Sequence, residues 1–316
     1  MGVPICPITQ EPASRLIQTV PATLLKRVWR HVGRTDVSDL FSGIDEFGLW
    51  EAPCGLAFFS PAIAGEDQFY RTFYGRFNAH KALKEVAPER PEYISAAQHV
   101  APGDRVLDVG AGCGGFRQHV KHGQFTGLDP YAEPDEQALG VIREETDEHA
   151  ASHGGHYDVV SAFQVIEHTT DPVAFASTLS RMVKPGGKLI LGVPLWPSPM
   201  IRCPNMLINC PPHHLTWWNE GSLKALAGKL ELDVVEIKRL PPHRHHAWFH
   251  RMEQLTCVDM SERYFANRPS WHLNMAFALP LSLLWGRFWG LPQNAEPIDI
   301  MLVARKPADN GREPNA

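Results

Sequence analysis

The chain has 316 residues, of which 44% are hydrophobic and 21% charged. That is about twice the length of a common single domain, with enough apolar material for a sizeable core, and it excludes a largely disordered chain. Thirty basic residues against 35 acidic ones leave a net charge of −5, which argues against an electrostatic nucleic-acid binder.

The opening MGVPICPITQ has no charged-then-apolar secretion pattern, and Cys6 stands where an N-myristoylation signal needs Ser or Thr. Cys6, Cys54, Cys113, Cys203, Cys210 and Cys257 are scattered, with no disulfide framework. A cytoplasmic setting is therefore expected. Phe69, Tyr70, Phe73, Tyr74 and Phe77 recur at three- and four-residue steps, which predicts a helix with one apolar side within Glu66–Ala87. Pro88 and Pro91 punctuate it, Glu92–Val100 reads as a further helix, and Pro102-Gly103 turns the chain.

From Arg105 the pattern changes to short apolar strands alternating with helical stretches. Strands are predicted at Arg105–Val109, Phe125–Asp129, Val141–Glu145, Tyr157–Phe163, Lys188–Val193, Leu232–Lys238 and Ile298–Arg305. Helices are predicted at Pro172–Val183 and Glu220–Leu230, each preceded by a capping residue, Asp171 and Asn219. Such alternation predicts an α/β, doubly wound, seven-stranded and mostly parallel sheet with helices on both faces.

An insertion of more than fifty residues, Pro241–Pro297, precedes the last strand, and a polar tail, expected to be disordered, follows Lys306. The insertion is rich in aromatics and poor in charge (Trp248, Trp271, Phe277, Trp285, Phe288, Trp289). Its uncharged run Pro269–Gly286 has 18 residues and includes His272, Asn274 and Pro280. A spanning helix needs about 20 clean apolar residues, so none is predicted. A lid over a greasy acceptor, a dimer surface and peripheral membrane contact through 269–291 remain open. The organisation is thus a cap with lead-in helices over 1–101, a sheet domain over 102–240 plus 297–306, a lid over 241–296 and a tail over 307–316.

VLDVGAGCGGF (Val106–Phe116) leaves a predicted strand and opens a helix, a context in which glycines let a ligand approach the backbone. Gly110, Gly112 and Gly115 fit a dinucleotide loop, with Asp129 as the ribose acid, so a nicotinamide-dependent oxidoreductase is one reading. Asp108 opposes it, because a pyrophosphate gains nothing from a carboxylate there and a cationic ligand does.

With Asp108, Gly110, Gly112 and Gly114 as D-x-G-x-G-x-G, the sequence resembles the class I S-adenosylmethionine-dependent methyltransferases, and three more motifs follow in order. These are YDVVSAFQVIEH (Tyr157–His168), MVKPGGKLILGVP (Met182–Pro194) and PPHHLTWWNEGSLKAL (Pro211–Leu226), the last resembling the small-molecule branch that includes the ubiquinone-type O-methyltransferases. The resemblance covers Pro102–Lys238 and the final strand. It implies a Rossmann-like fold and S-adenosylmethionine as cofactor, held by Asp108, Gly110, Gly112, Gly114 and Asp129. Glu145 or Asp147 is then expected near the adenine amine, and Gln164 and Val165 beside the methionine end. The acceptor is expected to be a small or lipid-linked molecule methylated at oxygen, with carbon or nitrogen less favoured. A catalytically silent cofactor-binding protein is the remaining alternative.

Some members of this branch carry an N-terminal zinc ribbon with two C-x-x-C pairs. The matching stretches here read CPIT (Cys6–Thr9) and EAPC (Glu51–Cys54), so one cysteine of each pair is missing. Structural zinc wants four soft ligands, and no metal is expected there. Transfer to a hydroxyl needs a base, for which histidine is suited. In an open parallel sheet the loops beyond the strands' carboxyl ends face the ligand, which brings His168, His213, His214, His243, His245, His246 and His250 into range. His168 and His214 are the catalytic candidates. His246 and His250 share a helix face, but no carboxylate or cysteine at metal-ligand spacing joins them before Glu253, so a metal bound by the His243–His250 cluster is the less favoured reading.

Overall fold

The computed structural model describes residues 2–76, 79–137, 139–260 and 263–308. The chain opens with β1 (Arg15–Pro21), α1 (Ala22–His31), β2 (Glu46–Glu51) and β3 (Ala57–Ser60). These strands pair antiparallel in chain order. Helix α1 covers them with Leu24, Leu25, Val28 and Trp29, which are all buried. The turn into β3 closes with Gly55 at φ +85°, a conformation that costs glycine little. Cys6 and Cys54 meet at this end with sulfurs 3.9 Å apart, and both are free thiols.

The aromatic helix of the sequence is two helices, α2 (Asp67–Arg76) and α3 (Ala79–Val86), and Phe77 lies outside the described residues. Phe69 and Phe73 of α2 pack edge-on against Trp29, with ring centroids 4.9 and 5.4 Å away. Helix α4 (Pro91–Ala97) starts at a proline, where the missing N–H costs nothing.

The main sheet begins with β4 (Arg105–Val109), β5 (Gln124–Leu128), α5 (Pro134–Gln137), β6 (Val141–Ile142), α6 (Thr146–Ser152) and β7 (Tyr157–Phe163). It continues with α7 (Pro172–Met182), β8 (Val183–Pro194), β9 (Thr216–Trp217), α8 (Glu220–Lys229), β10 (Asp233–Arg239), α9 (Ala247–Leu255), α10 (Pro269–Trp289) and β11 (Asp299–Arg305). Seven strands lie in the order β10-β11-β8-β7-β4-β5-β6. Neighbours from β6 to β8 are parallel, and β11 runs antiparallel to both β8 and β10. Central strands are buried on both faces, as Val106, Leu107, Val160, Leu189 and Ile300 show, which is why they read as apolar runs without alternation.

Two predicted strands differ. β6 has two residues rather than five, because only Gly127 and Leu128 pair with it; the chain then leaves the sheet edge, and Glu145 becomes the N-cap of α6. β8 starts earlier, at Val183, and takes in the Lys184–Gly187 turn where its register with β7 shifts. The polar tail from residue 309 onward lies outside the described residues.

β9 joins the N-terminal strands rather than the main sheet, pairing antiparallel with β3 through Ala57↔Trp217 and Phe58↔Thr216. The N-terminal segment therefore grips the chain between β8 and α8. Trp29 Nε1 donates to the Pro211 carbonyl at 2.8 Å, Gly65 N donates to Pro212 O at 2.8 Å, and Phe59 N to Leu215 O at 2.9 Å. Asn219 closes the segment. It forms a capping box with Ser222 and donates Nδ2–H to the Gly55 carbonyl at 2.7 Å. Asn219→Ala is expected to cost about 1–2 kcal/mol, at or above the usual loss of a cap, because the Gly55 bond goes with it. Asn219→Asp should recover part of that loss, and chemical denaturation of the three proteins measures both.

Candidate functional site

The chain builds β5 and β6 outward from β4, then crosses to place β7 and β8 on its other side. Such a reversal opens a crevice beyond the carboxyl ends of β4 and β7, the usual ligand position of an open parallel sheet. The glycine loop lies there. Gly110, Gly112 and Gly114 have φ of +70°, +51° and +68°, whereas Gly115 does not and instead packs on Ala87 and Tyr93. The backbone thus follows the D-x-G-x-G-x-G spacing. A Cβ on Gly112 would meet nothing within 4 Å, and one on Gly110 would lie 2.5 Å from Val165 Cγ2.

Asp129 locks the loop from the end of β5. One of its oxygens accepts from Gly112 N and the other from Tyr131 N, both at 2.9 Å. Asp108 is buried in β4 and accepts from Ser161 Oγ at 2.8 Å. Burial pushes its carboxyl up to about 7, helped by the Asp129 charge and opposed by Ser161 and Arg90. Burial raises the Tyr131 phenol, with Asp67, Glu145 and Asp129 acting the same way and Arg71 opposing. Gln164 has φ +59° and donates Nε2–H to Asp299 Oδ1 at 3.1 Å.

Three groups beside the crevice escape a reading of the sequence. Arg90, between Glu89 and Pro91, donates Nε–H to Glu92 Oε1 at 2.7 Å and Nη1–H to Tyr93 Oη at 3.0 Å. Burial disfavours the charge on both partners, yet each holds the other ionised: Arg90 is raised and Glu92 lowered. Asp299, the first residue of β11, is pushed up to about 8 by burial and by the Glu92 charge, and His246 Nδ1 stands 3.7 Å from its Oδ2. An arginine between an acid and a proline, and an acid opening a strand, carry no local signal of such pairing.

On the other side of Gln164 the chain makes a 3-10 turn, Ile166–His168, with His168 N bonded to Val165 O at 3.0 Å. His168 Nδ1–H donates to the His213 carbonyl at 2.7 Å, a role the carbonyl forces because it only accepts. Nε2 is left basic, 3.9 Å from Glu167 Oε1. His213 is fixed likewise, donating Nδ1–H to Ile208 O at 3.1 Å, with Tyr74 Oη 3.2 Å from Nε2. His214 Nδ1 and both Glu167 carboxylate oxygens are buried without a hydrogen-bond partner. Burial lowers His168 to about 4 and takes His213 and His214 well below their ordinary value, so all three are neutral near pH 7. It pushes Glu167 up to about 8. The crossing of β7 and the gripped 211–217 segment thus bring together two residues nominated from sequence, His168 and His214.

Ring nitrogens of His168, His213 and His214 lie within 4.8 Å of one another, close enough to hold a metal ion, as do ligand atoms of Glu89, His243 and His245. No metal ligand is assigned to either set from the sequence. His246 and His250 do not form such a group among the described residues.

A sequence profile described as a methyltransferase domain matches residues 74–237, just over half of the chain. The chain belongs to the class I S-adenosylmethionine-dependent methyltransferases. Among curated relatives, the ubiquinone biosynthesis O-methyltransferase of Klebsiella pneumoniae is 35% identical over 121 residues, covering 34% of this chain and 50% of its own length. That of Escherichia coli O157:H7 is 34% identical over 119 residues, with the same coverage. The chain spans about half the length of the curated relatives it matches. A solved structure of phosphoethanolamine N-methyltransferase 2 from Haemonchus contortus, in complex with S-adenosyl-L-methionine, covers 78% of this chain and 60% of its own at 14% identity, with a TM-score of 0.50. That likeness is one of fold.

S-adenosylmethionine is the cofactor of this methyltransferase family, and the crevice suits it. The three left-handed glycines leave open space at Gly112, a carboxylate ends β5, and a buried carboxylate in β4 suits a cation. Asp108→Asn keeps the oxygen that Ser161 bonds but removes the charge. It is expected to weaken cofactor binding about tenfold or more. It should also stabilise the cofactor-free methyltransferase. The folded carboxyl titrates at about 7 against an ordinary 3.8, so ionised Asp108 costs nothing below about pH 4, increasingly more up to about 7, and a constant amount above. Calorimetry with S-adenosylhomocysteine, and melting curves at about pH 4 and about pH 8, check both halves.

Proposed function

We propose that this methyltransferase transfers a methyl group to a hydroxyl oxygen of a small or lipid-linked acceptor, with His168 as the proton acceptor. The observation that carries the reading is an uncharged imidazole whose Nδ1–H is committed to the His213 carbonyl, which leaves Nε2 basic one turn beyond Val165, the residue packed on the glycine loop. When bound, S-adenosylmethionine supplies a methyl group on a sulfonium, and the displacement needs in-line approach more than covalent help.

The chain's own residues then have distinct roles. Gly110, Gly112, Gly114 and Asp129 hold the cofactor, Asp108 and Arg90 set the charge at its methionine end, and Gln164 and Glu145 are the further contacts. His168 takes the hydroxyl proton as the oxygen attacks, and His214, 5.0 Å from it ring to ring, faces the acceptor. The methyltransferase profile, residues 74–237, includes this turn, and relatives named for O-methylation in ubiquinone biosynthesis match 34% of the chain.

Incubation with labelled cofactor and a panel of catechols, polyprenylated phenols and amines, read by mass spectrometry, tests the reading. Label in a phenol supports it; label only in amines sinks the oxygen assignment, and cofactor binding without label in any acceptor favours a silent protein. His168→Gln is expected to lower kcat about 10²- to 10⁴-fold with cofactor affinity unchanged. Because the neutral ring is the active form and burial holds it near 4, activity should fall as the pH drops through about 4 rather than through the ordinary 6.5 of histidine.

A further inference from the structure

We propose that the outward face of α10 is a docking surface for a bilayer carrying anionic headgroups. Leu273, Phe277, Leu281, Leu284 and Phe288 are 58, 69, 52, 55 and 70% exposed. At about 100° per residue they fall within an arc of about 80° along nearly the whole helix. Trp289, also 70% exposed, stands at the helix end, about 80° around the axis from the edge of the row. Exposed apolar continuity of this kind on a folded surface marks a contact site.

The helix cannot roll to hide that row. Its other side, Trp271, Met275, Ala278, Ser282 and Gly286, is buried, and Gly286 lies so close to α9 that a Cβ would come within 2.8 Å of Trp248 N. No helix among the described residues is long and apolar enough to cross a membrane, and Pro280 interrupts this one. The geometry is that of a helix lying in the plane of the interface.

Charge selects the occupant. From Arg263 to Ala295 there is no Asp or Glu, and there are three arginines, in a chain whose net charge is −5. Arg268 caps the start of α10, Arg287 stands in its last turn, and both are exposed. Arg251 lies over the Trp285 ring at 4.9 Å, pairing an aromatic with a cation at the rim of the row. Anionic headgroups complement this pattern, whereas a second copy of the same face would set like charges together. The surface is also tied to the site. α10 packs on α9, and the turn before α9 carries His246 against Asp299, which holds Gln164. Its use, delivery of a membrane-dissolved acceptor, rests on the lipid-linked reading above.

Flotation of the full chain with vesicles of phosphatidylcholine, alone or with one part in four phosphatidylglycerol, tests the proposal. The wild type is expected to float with the anionic vesicles and not with the neutral ones. Phe277→Glu with Phe288→Glu should cut partition about tenfold or more, and Arg268→Gln with Arg287→Gln about fivefold per arginine. Melting temperature and S-adenosylhomocysteine affinity should stay unchanged in all of them. A wild type that floats with neither vesicle, equal partition of both vesicle types, or a Phe double variant that floats as well as the wild type overturns the proposal. So does a lipid-free dimer by light scattering that the Phe substitutions dissociate without any vesicle binding in the wild type. Failure of S-adenosylhomocysteine to bind would sink the methyltransferase reading and leave the flotation result standing.

Discussion

Everything chemical in this protein follows from the reversal of strand order at β4. Because β5 and β6 spread to one side and β7 and β8 to the other, no crossover covers the carboxyl ends of β4 and β7, and a crevice opens there. Three turns leave the sheet at that point: the glycine loop after β4, Asp129 after β5, and Gln164 to His168 after β7. Their side chains need no long-range search to meet. Hydrogen bonds such as Gly112 N to Asp129 and Ser161 to Asp108 fasten adjacent strands to one another, so the crevice is rigid at its floor.

The walls are built differently. One side is a buried ionic group in which Arg90 and Glu92 stay charged together and Asp299 is held toward its neutral form. The other is a set of neutral imidazoles around Glu167, whose buried carboxyl is likewise pushed toward neutrality. The buried Arg90 and Glu92 form an interdependent pair, in which removing one partner leaves the other stranded and costs more than replacing both.

The sheet and its loops were legible in the sequence because strands buried on both faces must be apolar throughout, and because Asp171 and Asn219 sit where helices need caps. β6 was overestimated because an edge strand is as long as its partner allows, a tertiary fact that Val141–Glu145 cannot express. The cofactor loop was legible because left-handed turns and a cationic ligand restrict residue type. His168 and His214 could be nominated from topology, but the tautomers of His168 and His213 depend on the carbonyls of His213 and Ile208, and backbone positions leave no mark on residue choice. The pairing of Arg90 with Glu92, and the approach of Asp299 to His246 from the far end of the insertion, are equally silent.

The strand β9 gives the N-terminal segment a meaning that a domain boundary would conceal. The methyltransferase profile begins at residue 74, yet Trp217 and Thr216 pair with Ala57 and Phe58, and Trp29 holds Pro211 from before that point. A fragment cut at the family boundary would keep the glycine loop and Asp129 and lose the partner strand of β9. It would expose an unpaired edge beside Trp217, the kind of edge along which chains aggregate. The segment ahead of the recognised family region therefore braces the stretch that carries His213 and His214, and shuffling the sheet onto another N-terminus would trade away the histidine geometry together with solubility.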